Sequence, residues 1–367
     1  MNSLKVQPVS QEDAASIYGM AQSEVVERLA AMQRQESSYL PVNYLDRLDH
    51  PSSSQDDDDD EITRSSRSKM ALWCYQLTDI CTFQRETVAR AMSYLDRFLA
   101  AGLASQSSPS ARTYHQRRAA EALRDKREYQ LASMCCLYVA VKMFEPLSMD
   151  ASLLSEISHG CYTPAEILSM ETSILQVLQW RLNGPTAQDF ATHLLAMLEP
   201  SAYQYCIETV TSILDSMRHQ IEIAAADYDV ALVSPSTVAV ASLLNTFEGV
   251  SQDSLSSKAR YSFFSRVVNS VELDMNLVAT VQRRLRSLFF LNSGEDLPMD
   301  RSSRDVTQFP TSALERSQEY SCLFSRTPSQ DQERKMQGPG CRITTSPRST
   351  ACGEDEGKPE VYHARCA

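Results

Sequence analysis

From residue 66 to residue 291 apolar side chains recur every three or four positions, in segments long enough for amphipathic helices. The pattern predicts helices at 66–81, 84–101, 129–144, 150–159 and 164–181, and a second series at 186–198, 202–224, 235–247, 256–271 and 275–290. Gly160 follows the fourth segment at the place where a left-handed residue usually closes a helix. Thr163-Pro164-Ala165-Glu166 is a capping box with proline at the first helical position. Asn183-Gly184-Pro185 then stops the first series. Five helices, a Gly-Pro break and five more predict an all-α chain of two tandem, similar five-helix domains, at 62–184 and 185–293.

The flanks lack that periodicity. Residues 1–61 are expected to be mostly disordered, with one short amphipathic helix around 14–32. Five consecutive aspartates at 56–60, followed by Glu61, repel one another and read as a solvated acidic linker or as a degradation-promoting segment. Residues 294–367, rich in Ser, Pro, Gly and charge, are expected to form a disordered tail.

Composition narrows the function classes. The formal charge of -12 over 367 residues disfavours sequence-independent nucleic-acid binding, which needs Lys and Arg to neutralise phosphates. The ten cysteines form no C-x-x-C pair and no Cys/His cluster with zinc spacing, so no metal and no disulfide framework are expected. No stretch has the length and apolarity of a membrane span, and no secretory leader is expected from the polar first 30 residues. A nuclear or cytoplasmic chain without cofactor is the expectation.

Two charges interrupt apolar stripes. Leu131, Cys135, Tyr138 and Val139 share one face of the third helix, and Lys142 continues it. Ile167, Ile174 and Leu178 share a face of the fifth, with Glu171 inside it. A charge on a core-facing stripe needs a partner. Either the two are buried structural ion-pair members, or they border a binding surface.

The residues around them resemble the cyclin box. Ser93-Tyr94-Leu95-Asp96-Arg97-Phe98-Leu99 is similar to the family's Y-[IL]-D-R-[FY]-L element, and Val139-Ala140-Val141-Lys142-Met143-Phe144-Glu145 to its A-S-K-[YF]-E-E segment. Tyr129-Gln130-Leu131 resembles L-Q-L; Met170-Glu171 with Leu175, Leu178 and Trp180 resembles M-E-x-x-[IV]-L-x-x-L-x-[WF]; and Pro185-Thr186 with Phe190 resembles the P-T-x-x-x-F linker into a second fold. The resemblance implies a non-enzymatic subunit that binds and activates a cyclin-dependent protein kinase and so regulates cell-cycle progression. It assigns Arg67 and Asp96 to an internal salt bridge between the first two helices, Leu131 to the box core, and Lys142 and Glu171 to kinase contact. The alternative is a cyclin-fold transcription-associated scaffold without kinase activation.

The sequence also departs from the family. The groove that receives substrate R-x-L motifs would retain Met70, Trp73 and Gln130, but Ser66, Lys69 and Gln76 replace its Met, its Ile and its acidic residue. Residues 100–128 exceed the usual connection and end in basic residues, which reads as a solvated extension of the third helix or as a partner or import signal. R-x-x-L and L-x-C-x-E are missing from the chain, and Thr327-Pro328 and Ser346-Pro347 are minimal proline-directed phosphosites.

Overall fold

A computed structural model describes residues 21–46, 62–104, 113–147, 149–198, 207–251 and 255–293. Among these residues all regular structure is helical. The helices are α1 (Gln22–Glu36), α2 (Arg64–Ile80), α3 (Glu86–Ala104), α4 (Tyr114–Glu121), α5 (Lys126–Phe144), α6 (Ala151–Ile157) and α7 (Pro164–Val177). Then follow α8 (Ala187–Leu195), α9 (Ile207–Ala226), α10 (Tyr228–Ala231), α11 (Pro235–Gly249), α12 (Ser257–Ser270) and α13 (Met275–Ser293).

Two hydrophobic cores divide these helices between them. In the first, every residue of α5 from Leu131 to Val141 is buried. A helix apolar on all sides must be surrounded, and α2, α3, α4, α7 and neighbouring loops enclose it. The second core is wound in the same way around α11, where Ser236 to Leu243 are all buried, with α8, α9 and α13 around it. Each repeat thus consists of six helices centred on one enclosed helix, with α4 and α6 short in the first and α10 short in the second. The starts are chemically specified. Thr63, Thr163 and Thr186 each accept from the backbone of the third helical residue, and Ser66, Glu166 and Asp189 reciprocate.

Two segments differ from the sequence expectation. The helix expected around 14–32 is α1, at Gln22–Glu36, and the chain stays packed as far as residue 46. Val25 and Leu29 of α1 enter the second core, whereas Tyr44 and Leu45 enter the first. Residues 22–46 therefore form a strap fastened to both repeats. Gln22 Nε2 donates to the Ala196 carbonyl at 3.0 Å, and the Glu36 carboxylate receives Ser236 N and Oγ at 2.9 and 2.7 Å, capping α11. The second difference is the long 100–128 connection. It is not a solvated extension of α5: it holds the separate helix α4, and Arg118 within it is buried, its Nε donating to Glu128 at 3.3 Å and its Nη1 to Ser169 Oγ at 2.9 Å. The aspartate run at 56–60 and the tail from 294 lie outside the described residues.

Candidate functional site

Arg67 on α2 and Asp96 on α3 face each other in the first core. Arg67 Nε and Nη2 donate to the two Asp96 oxygens, both at 2.8 Å, and both side chains are almost wholly buried. Tyr44 of the strap donates to the same carboxylate at 2.9 Å, and Arg67 Nη1 donates to the Ala225 carbonyl at the end of α9, also at 2.9 Å. Burial pulls the guanidinium down, but the Asp96 carboxylate outweighs it and leaves Arg67 raised. One ion pair therefore joins two helices of the first repeat, the strap and the second repeat. Leu131 sits fully enclosed in the same core.

Lys142 and Glu171 meet each other. Lys142 Nζ lies 2.6 Å from Glu171 Oε1, across the contact between α5 and α7. The lysine side chain is 42% exposed and the glutamate 12%, so the pair stands at the edge of the core. Lys142 also lies over the Tyr138 ring, 4.9 Å from its centroid. Burial depresses its ammonium, and Glu171 and Tyr138 reverse this, leaving it raised.

Three apolar side chains near this pair are exposed and were not singled out by the sequence. Met143 follows Lys142 and is 54% exposed; Leu168, one turn before Glu171, is 46% exposed; Leu147 follows the end of α5. Exposure is the missing signal, because the pattern alone reads them as ordinary helix positions. Glu145, between them, accepts from Gln84 N at 3.0 Å and from Thr87 Oγ1, which ties the end of α5 to the start of α3.

The residues of the expected docking groove are divided. Met70 and Trp73 are half-buried against the first core. Gln130 is exposed, and its Oε1 accepts from the Tyr162 hydroxyl at 3.1 Å. Ser66, in place of the family's Met, spends its hydroxyl on the α2 capping box. Thr327 and Ser346 lie outside the described residues. Among the described residues no group of His, Cys, Asp and Glu could hold a metal ion, and no helix is long and apolar enough to cross a membrane.

A tandem all-helical fold, with each repeat wound around an enclosed helix, and an Arg–Asp pair locking the first two helices of the first define the class. Residues 32–183 match the family described as cyclin, N-terminal domain. That segment of the chain is thus a cyclin N-terminal domain. The chain is 27% identical over 265 residues to the G1/S-specific cyclin-D1 of Danio rerio, covering 71% of this chain and 78% of that protein. To the G1/S-specific cyclin-D1 of Homo sapiens it is 25% identical over 229 residues, 62% of this chain and 69% of that protein. A viral cyclin from herpesvirus saimiri has a similar fold, with a TM-score of 0.51 at 20% identity, over 72% of this chain and 98% of that one.

Proposed function

We propose that this chain is a regulatory, non-catalytic subunit that binds a cyclin-dependent Ser/Thr protein kinase and activates it during the cell cycle, in the nucleus or cytoplasm. The observation that carries this reading is the Lys142–Glu171 pair, held at 2.6 Å between α5 and α7, with Met143 and Leu168 exposed beside it. Exposed apolar side chains around a partly desolvated charge pair have the make-up of an interface centre. A kinase must bring its strand lysine to the glutamate of its regulatory helix before it can position ATP. A rigid helical face packed on that helix selects the active arrangement. The enclosed α5 and its neighbours supply the rigidity. Lys142 and Glu171 would donate to and accept from the kinase backbone, and Met143, Leu147 and Leu168 would supply apolar contact.

The test is recovery of the full chain from cell lysate, identification of the bound kinase by mass spectrometry, and assay of that kinase with and without the purified chain. A bound kinase whose activity rises on addition supports the reading. A chain that binds no protein kinase overturns it.

A further inference from the structure

The strap crosses the first repeat at a short 3₁₀ turn, Ser37–Tyr39, which lies against two unusual arginines. Arg97 of α3 and Arg181, just beyond α7, place their guanidinium carbons 4.8 and 5.0 Å from the centroid of the same Tyr39 ring. Arg97 Nη1 donates to the Arg181 carbonyl at 2.8 Å, and Arg181 Nη2 donates to Ser38 Oγ at 2.7 Å. Neither arginine forms an ion pair with a carboxylate among the described residues. Other arginines that are buried or nearly so in this repeat are matched: Arg67 by Asp96, Arg85 by Asp79 and Glu222, Arg90 by Glu86, Arg118 by Glu128. Burial, and then the Arg181 charge, depress the Arg97 guanidinium, as expected for a cation short of an anion.

The geometry of the turn is fixed. A side chain at Gly184 would meet the Tyr39 ring at 2.5 Å, so the ring is seated directly on that glycine. With the ring held, the neighbouring Ser38 is exposed to solvent, its hydroxyl donating to the Gln35 carbonyl at 2.8 Å while Arg181 approaches the oxygen. A solvent-facing hydroxyl in contact with one guanidinium, and next in sequence to the tyrosine that a second overlies, lacks only a negative charge among the described residues.

We propose that Ser38 is a phosphorylation site and that Arg97 and Arg181 form the receiving site for its phosphate monoester. In the modification the Ser38 Oγ–P bond forms as the bond between the γ-phosphorus of ATP and the ADP oxygen breaks. The hydroxyl proton passes to the base of the modifying kinase, and ADP leaves. The ester brings a charge of about −1.5 to −2 and three acceptor oxygens to two unmatched cations. Charge-assisted bonds to both guanidiniums would hold the turn against the first repeat. The same strap lines a cavity of about 120 Å³ between the repeats, with Leu40, Met92, Ile221 and Val238 among its walls. Phosphorylation would therefore favour the closed strap, with α1 seated on the second repeat.

The experiment compares the full chain carrying phosphoserine at position 38 with the unmodified chain, by thermal melting and by amide hydrogen exchange over 22–46. The expected result is a melting temperature raised by about 2–4 °C, roughly the shift given by one strong added interaction in a domain of this size, with slower exchange in the strap. Arg181→Gln, at an exposed position, should remove most of the gain, and Arg97→Gln in addition should remove the rest. The chain recovered from its own cells should carry phosphate on Ser38 in at least one stage of division. A phosphate that lowers the melting temperature, or a gain that persists in the Arg181→Gln chain, overturns the proposal. So does equal protection of the unmodified chain by inorganic phosphate, because the site would then serve a free anion. Lack of phosphate on Ser38 throughout the division cycle also overturns it.

Discussion

Asp96 illustrates how much one buried residue can hold together. Its two oxygens receive Arg67 twice and Tyr44 once, from α2 and from the strap. Asp96→Ala leaves the Arg67 guanidinium buried and unmatched, so the free protein should lose roughly 3–5 kcal/mol of stability, read by calorimetry. Tyr44→Phe removes one donor while the ion pair survives, and should cost only about 0.5–1.5 kcal/mol. Equal losses in the two variants would show that the pair is not the fastening described here. A second residue sets a pH dependence. His219 on α9 has a buried Nδ1 without a hydrogen-bond partner among the described residues, and Arg85, reaching across from the first repeat to Glu222, bears on it. Burial, and then the Arg85 charge, hold the imidazole below its ordinary value of 6.5. The unfolded chain therefore takes up a proton that the folded chain refuses. That share of stability is present above about pH 6.5 and is lost as pH falls below it toward the folded value. His219→Gln should show a smaller drop in melting temperature between pH 7.5 and 5.5 than the parent; an identical drop would place the acid sensitivity elsewhere.

At the scale of elements, most helices were legible because periodicity and caps agree. The break at Asn183-Gly184-Pro185 falls where α7 has ended and α8 has yet to begin, and Thr163 and Pro164 open α7. The helix α4 was not legible in this way. Thr113 and Gln116 do form a capping box there, but the basic residues that follow read as a solvated face. Arg118 is buried because Glu128 and Ser169 complete it, and neither partner can be located from spacing alone. Likewise, the stripes show that Lys142 and Glu171 need partners, yet 29 residues of chain separate two side chains that turn out to satisfy each other. The strap was underestimated because Val25 and Leu29 are few, and the second core supplies the rest of their surroundings. α4 offers its own test. A Cβ at Gly102 of α3 would lie 2.5 Å from the Ala119 backbone, so these helices touch main chain to main chain. In an open helix Gly→Ala stabilises by up to about 1 kcal/mol. Here the obstacle is backbone, which cannot swing aside, and Gly102→Ala should lower the melting temperature, with an overpacking cost of about 1–3 kcal/mol. An unchanged or higher melting temperature would mean that α4 moves freely.

The described residues form two enclosed-helix repeats held by a strap, with the structural fastening and the proposed interface placed apart in function. Arg67 and Asp96 lie inside, where their loss acts on folding; Lys142 and Glu171 lie at the edge, where their loss should act on a partner. Truncating Lys142 opens the 12%-exposed Glu171 to water in the space the lysine vacates, and truncating Glu171 leaves a lysine that is already 42% exposed. Either truncation should therefore change the melting temperature of the free chain little, since an ion pair at such a position contributes about 0–1 kcal/mol. If the pair grips the kinase backbone, Lys142→Ala and Glu171→Ala should each weaken binding by about 2–5 kcal/mol, the usual cost of removing one partner from a hydrogen-bonded charge buried on association. The double variant should lose less than the sum, because the two side chains already act as one unit. Met143→Ala should weaken binding too, by a smaller amount, through lost apolar contact at a side chain that does little for the free fold. The measurement is affinity for the identified kinase beside thermal melting for each chain. Lowered melting with affinity falling only in proportion would make the pair a structural bridge between α5 and α7. Normal melting with unchanged affinity in all four variants would move the kinase interface to another face of the molecule.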